Sequence, residues 1–306
     1  MSLCAGMFGR GALVVLGAMT IWASPSERSR RLRMFLLPVG ILLFVLASLV
    51  ALNLTVPARP RLLDAYLYAF DGSLGFQPSF LMGRLFSDYP LLAGVGREGY
   101  LALPVAIALV CAGYLEHTSW WRPLAVLATA GALGYLLYWV FPAAGPVYFA
   151  GTDFPRSPQS FSALAINLHP VTLPLRAPRN AMPSLHMAWA LLLWFNCRPF
   201  SRTAGALALA YIVLTVLATL GTGEHYLIDL VVAAPFAVAV QAMWSRESPA
   251  GASYAALACG VLLTLFWLIT LRYSPESFQL SAAVPWLCLV VTIGISLWLE
   301  RYLKVP

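Results

Sequence analysis

Long apolar runs alternate with short polar stretches along nearly the whole chain. Runs of membrane-spanning length fall at about Met34 to Leu54, Gly99 to Leu115, Leu124 to Phe141, Ser184 to Cys197, Ala204 to Leu220, Tyr226 to Trp244, Tyr254 to Leu271 and Ala282 to Leu299. About 20 apolar residues cross the hydrocarbon core as a helix, so the chain has room for roughly six to nine spans. Each run is expected to be helical, because a lone strand in lipid leaves its backbone groups unpaired. The strict alternation of a membrane barrel is missing. The pattern predicts an all-α, polytopic transmembrane helical bundle.

Composition agrees with this reading. The chain is 60% hydrophobic and 10% charged, with a mean hydropathy of +0.79, where a soluble domain carries about 25% charged residues. A net charge of +7 raises nucleic acid as a partner. The basic residues are scattered in short clusters between apolar runs rather than along one face, so no nucleic-acid partner is expected. The cysteines stand singly in or beside apolar stretches, without metal-ligand spacing, and read as small hydrophobes. Met1 to Ala23 reads as an uncleaved anchor, a span or a surface helix.

Arginine sets the expected orientation. One set of alternate connections holds Arg28, Arg30, Arg31, Arg33, Arg122, Arg198, Arg202, Arg246, Arg301 and Lys304 close to helix ends. That density marks these connections as cytoplasmic. Two long loops, Thr55 to Glu98 and Pro142 to Pro183, then face outward with the Gly221 to Glu224 turn. The first mixes Tyr66, Tyr68, Phe70, Phe76, Phe80, Phe86 and Tyr89 with Asp64, Asp71 and Asp88, as short helices in the headgroup region would, and needs only packing and anchoring to explain it. Leu52 to Pro60 and Gly151 to Pro183 read as irregular. Arginine used almost to the exclusion of lysine suggests a GC-rich genome and a bacterial inner membrane.

Polar groups that attack or donate protons are rare in such a chain, and two of the four histidines stand at outward ends of predicted spans. The first lies in Arg179-Asn180-Ala181-Met182-Pro183-Ser184-Leu185-His186. Pro183 suits the first turn of a helix, whose free N–H groups and positive dipole end favour an anion. Arg179 and Arg176 can add bidentate phosphate contacts. On these residues alone, a simple helix start with an interfacial His186 explains the segment equally well. The second motif is Gly221-Thr222-Gly223-Glu224-His225-Tyr226-Leu227-Ile228-Asp229. His225 and Asp229 are four apart and share a face if both are helical. Asp229 would then hold one imidazole nitrogen and aim the other outward as a nucleophile. A buried pair that only locks the helix start is the structural alternative.

Pro-Ser-x-His at the start of one span and His-x-x-x-Asp at the start of the span two later resemble the second and third signatures of the type 2 phosphatidic acid phosphatase superfamily. The nearest branch in pattern is that of inositol phosphorylceramide synthase and sphingomyelin synthase-like phosphotransferases. The resemblance covers roughly Met34 to Trp244. It divides the chain into an N-terminal hydrophobic segment and basic cytoplasmic loop at 1–33, a six-helix core at 34–244, and two additional transmembrane helices at 245–306. It implies His225 as nucleophile, Asp229 as its orienter and His186 as the acid for the leaving alkoxide. Arg179, Arg176, Ser184 and Tyr148 follow as the candidate substrate phosphate-binding residues. No metal and no cofactor is implied. The partners implied are a lipid phosphate or phospholipid substrate and the bilayer, with the active site on the extracytoplasmic side.

The chain departs from the superfamily pattern in two places. No Lys-x6-Arg-Pro signature precedes Pro-Ser-x-His, and Ala218, Thr219 and Leu220 stand where a Ser-Arg pair is usual. Gly145-Pro146-Val147-Tyr148 resembles the Gly/Pro-aromatic segment found there in the synthase-like branch. Three other readings stand beside this one. A metal site from His186, His225, Asp229 and Glu224 fits the ligand types. A transporter also buries polar pairs, but no inverted repeat is visible. A lipid-binding relative without phosphoester chemistry is the third.

Overall fold

The structure, a computed structural model, describes residues 28–58, 60–156, 168–173, 177–245, 250–279, 281 and 283–303. The N-terminal segment and Arg176, both named from the sequence, lie outside them. Twelve α-helices follow in order among the described residues: α1 Arg28–Ala58, α2 Asp64–Ser73, α3 Pro78–Asp88, α4 Pro90–Leu101, α5 Leu103–Gly113, α6 Arg122–Val140, α7 Pro146–Ala150, α8 Leu185–Cys197, α9 Arg202–Gly221, α10 Leu227–Trp244, α11 Ala250–Tyr273 and α12 Ala283–Glu300. Two short strands, β1 (Arg61–Leu62) and β2 (Val171–Thr172), pair antiparallel, Arg61 opposite Thr172.

Six helices are long and apolar enough to cross a membrane, and α4 with α5 form a seventh span bent by 48°. The protein is therefore a multi-pass, all-α membrane protein. The single span expected at Gly99 to Leu115 is this bent pair, which starts already at Pro90. Pro104, in the first turn of α5, has no N–H for the preceding turn, and the helix breaks there. Leu52 to Pro60, read as irregular, is helical as far as Ala58. The run at Ser184 to Cys197, expected to be of spanning length, forms only the 13-residue α8, shorter than the six spanning helices.

The connections gather at two ends of the bundle. At one, Arg33 Nη1 donates to Leu115 O (3.1 Å) and His117 O (3.2 Å), and Arg198 pairs with Glu300. At the other, Leu63 N–H donates to Pro142 O, Val147 N–H to Gly223 O and Ser184 N–H to Asp229 O. Arg272 and Trp286 reach Val140 O and Leu74 O there.

The packing centres on α10, which is buried from Ile228 to Ala242 with few gaps, while its neighbours turn one apolar face outward, as lipid-facing helices do. Gly260 of α11 explains how closely the next helix approaches: a Cβ there would stand 2.7 Å from Pro235 O. Inside the bundle Asn196 Nδ2 donates to Gln241 Oε1 at 3.0 Å and Trp267 Nε1 to Thr292 Oγ1 at 3.0 Å, satisfying polar groups that lipid cannot.

Candidate active site

Two aspartates on α2 organise the end of the bundle where both histidine motifs meet. Asp64 and Asp71 are seven residues apart, two helical turns, so they share one face, and both are buried. Asp71 Oδ2 accepts from Leu227 N–H (2.8 Å) and Oδ1 from Ile228 N–H (3.2 Å). A carboxyl from another helix thus occupies the free donors of α10, where an acidic group is favoured. Asp64 accepts from Ala144 N–H, from Gly145 N–H at 2.8 Å and from Tyr226 Oη–H at 3.2 Å. Burial pushes Asp64 up to about 6 against these hydrogen bonds. It pushes Asp71 up to about 8, helped by the Asp229 charge.

His225 does not lie on α10. It sits one residue ahead of the N-cap Tyr226, because the Gly223 turn, at φ +71°, redirects the chain before the helix begins. The side chain is buried. Its Nδ1 is 3.0 Å from Ala181 O and 3.5 Å from Asp229 Oδ2. A carbonyl only accepts, so the shorter contact requires the proton on Nδ1 and leaves the lone pair on Nε2. Asp229 Oδ2 also accepts from Tyr226 N–H at 2.8 Å, closing a capping box. The expected orienting carboxylate is therefore shared: Ala181 O holds the ring, and Asp229 chiefly fixes the helix start beside it. Ser79 Oγ–H donates to His225 O at 2.7 Å, pinning the backbone. Burial pushes His225 down to about 4, while the Glu224 carboxylate and the Ala181 carbonyl oppose the shift.

His186 is the second residue of α8. Ser184, rather than Pro183, begins that helix as its N-cap, with Oγ accepting from Met187 N–H at 3.3 Å. Pro183 precedes the cap, so its missing N–H costs the helix nothing. The His186 ring stacks on Tyr100, centroids 3.9 Å apart, and meets Trp189 edge-on. Its charge and that of His225 act on each other. Ser184 N–H donates to Asp229 O, so the starts of α8 and α10 are tied directly.

Around this pair, Tyr148 donates a hydrogen bond to the Glu224 carboxylate, whose own burial raises its proton affinity. Gly145, at φ +109°, permits this arrangement: a Cβ would stand 2.3 Å from Glu224 O. Arg179 is fully buried. Its Nη1 donates to Ala177 O, and the Asp64 charge acts on it. Four of the named residues, His186, His225, Asp229 and Ser184, are thus joined at two helix starts, with Tyr148 linked to them through Glu224. Among the described residues, no three of His, Cys, Asp and Glu are grouped as metal ligands would be.

Asp64 and Asp71 stand in the loop whose sequence needs only packing and anchoring to explain it, so neither is among the site residues expected from the sequence. Their seven-residue spacing on an otherwise apolar helix was the available signal. The Ala181 carbonyl and the Tyr100 ring carry no signal of their own, since a backbone oxygen and a stacked aromatic are placed only by the fold.

No match was found among curated proteins or solved structures. Residues 65–243, more than half of the chain, match the profile of the PAP2 superfamily, a span that takes in Asp71, both histidine motifs and the loop from Gly145 to Arg179. The coarse chemistry this supports is that of a phosphatase or phosphotransferase. By the extent of that match, the chain belongs to the PAP2 superfamily.

Proposed function

We propose that the protein cleaves or transfers a phosphate or phospho-headgroup of a lipid at the extracytoplasmic face, through a phosphohistidine on His225. The observation that carries this reading is the contact of His225 Nδ1 with Ala181 O, which leaves Nε2 as the nucleophilic nitrogen beside a second histidine. Nε2 attacks phosphorus, an N–P bond forms, and the P–O bond to the leaving group breaks. Protonated His186 gives its proton to the departing oxygen. Neutral His186 then takes a proton from water or an alcohol, whose oxygen attacks phosphorus while the N–P bond breaks. Water as acceptor gives a phosphatase and an alcohol gives a transferase.

Charge on the phosphoryl oxygens needs fixed donors. Arg179, Arg176, Ser184 and Tyr148 are assigned that role, together with the N–H groups that open α8. Gly145-Pro146-Val147-Tyr148 supports placing the chain beside inositol phosphorylceramide synthase and sphingomyelin synthase-like enzymes. The arginine-rich ends at the opposite side of the bundle support an outward-facing site in a bacterial inner membrane.

Purified protein in detergent with EDTA, offered a panel of lipid phosphates and phospholipids, tests the reading. Release of phosphate or transfer of a headgroup, lost in His225→Ala and in His186→Ala, is expected. Turnover that survives His225→Ala overturns the phosphohistidine route.

A further inference from the structure

At the site end of the bundle, but sharing none of the residues assigned to phosphoryl transfer, lies a groove of about 650 Å³. Its walls include Arg61, Leu63, Trp139, Val140, Pro142 and Arg272. The helices α6 and α11 both pack on α10, and Arg272 Nη1 donates to Val140 O at 2.6 Å, bridging their outer ends. Arg61 comes from β1, held in place by its pairing with β2. Arg61 and Arg272, from distant parts of the chain, thus line one cavity, and among the described residues no carboxylate lines it.

Below this charged rim the surface is apolar. Leu136 lies one turn deeper than Val140 on the same face of α6, and Ile269 one turn deeper than Arg272 on α11; both are exposed. Trp139, at 42% exposure, stands where an indole prefers the headgroup level. Cations above, an interfacial tryptophan between and bare aliphatic side chains below match one amphipathic occupant.

We propose that this groove binds an anionic phospholipid, its phosphate held by Arg61 and Arg272 and an acyl chain laid along Leu136 and Ile269. The cations supply charge complementarity, and Arg offers the forked geometry that suits phosphate oxygens. The size is that of a small-molecule site. Leu63 N–H donates to Pro142 O, and the next residue, Asp64, holds Ala144 and Gly145. The groove therefore borders the loop that leads to Tyr148.

Native mass spectrometry of the full chain in detergent tests this with phosphatidylglycerol, with phosphatidylcholine of the same chains, and with sn-glycerol 3-phosphate. The wild type is expected to retain phosphatidylglycerol over phosphatidylcholine. Arg61→Gln/Arg272→Gln should weaken that binding roughly tenfold to thirtyfold, at about one factor of five per interfacial cation. Arg61→Lys/Arg272→Lys should stay within about threefold, and His225→Ala should bind as the wild type does. Unchanged binding in the Gln pair, equal retention of phosphatidylcholine, displacement by glycerol phosphate at equal concentration, or loss in His225→Ala each overturns the proposal. If Arg272→Gln unfolds the protein by removing its bond to Val140, Arg61→Gln alone, at an exposed side chain, decides by the same comparison.

Discussion

The His225 imidazole and the Ala181 carbonyl meet at 3.0 Å, joining the turn before α10 to the loop before α8. Two segments more than forty residues apart thereby share one hydrogen bond, and the bond sets which ring nitrogen is free. The expected consequence is that orientation and reactivity of His225 can be separated. In His225→Asn the amide nitrogen takes the place of Nδ1 and keeps the Ala181 contact, but nothing replaces Nε2. Its melting temperature should stay close to the wild-type value while turnover falls by roughly a thousandfold or more. His225→Gln, which keeps a group near Nε2 and loses the Ala181 bond, should be equally inactive and less stable. Turnover in the Asn variant within tenfold of wild type would sink the assignment.

The acid limb of the pH profile follows from His225, because protonated His186, which burial disfavours, only gains population as pH falls. Burial lowers His225 to about 4, so the neutral imidazole persists through mildly acid solution. Activity that depends on a free Nε2 should hold down to about pH 5 and decline as pH passes through 4. A decline centred near 6.5, the ordinary histidine value, would mean that the ring is solvated.

Stability should depend on pH through Asp71. Its folded value of about 8 exceeds the ordinary 3.8, so the folded state holds a proton that the unfolded state has lost. The stabilisation is complete below about 3.8 and disappears as pH rises through 8. His225 has the opposite sign, its contribution present above 6.5 and lost as pH falls through 4. Asp64 has the sign of Asp71 but is finished by about pH 6. Between pH 6.5 and 8, Asp71 therefore acts without those two. The wild-type Tm should fall across that window, and Asp71→Asn should fall less steeply. Parallel curves for the two proteins would refute this.

Asp71→Ala removes the partner of both Leu227 N–H and Ile228 N–H. Leaving two buried donors unmet costs about 1–3 kcal/mol each. Thermal unfolding should register a loss of that order, larger than that of Asp71→Asn, which keeps one acceptor oxygen.

Gly145→Ala places a Cβ 2.3 Å from Glu224 O at a φ of +109°. The neighbour is backbone and cannot swing away, so the turn beside His225 must shift. We expect about 1–3 kcal/mol of lost stability from the strained conformation alone, with a fall in turnover that exceeds that of Gly75→Ala. Gly75 also has a positive φ, but no neighbouring atom stands within 4 Å of where its Cβ would lie. Equal effects of the two substitutions would show that strain, not the Glu224 contact, is what matters.

Much of this protein follows from its sequence by itself. Apolar runs too long for anything but helix determine a polytopic bundle, since lipid forbids unpaired backbone. Pro-Ser-x-His and His-x-x-x-Asp stand out because a titratable group at the end of an apolar run needs a reason to be there. The chain order could not reveal how those two motifs are held. The fold alone decided that Ala181 O rather than Asp229 makes the shorter contact to His225, that Asp71 caps a helix begun 156 positions later, and that Arg61 and Arg272 face the same groove. Hydrophobic periodicity is local and can be read along the chain. Hydrogen bonds between a carboxyl and backbone donors of another helix depend on how the helices are brought together, and tertiary packing determines that.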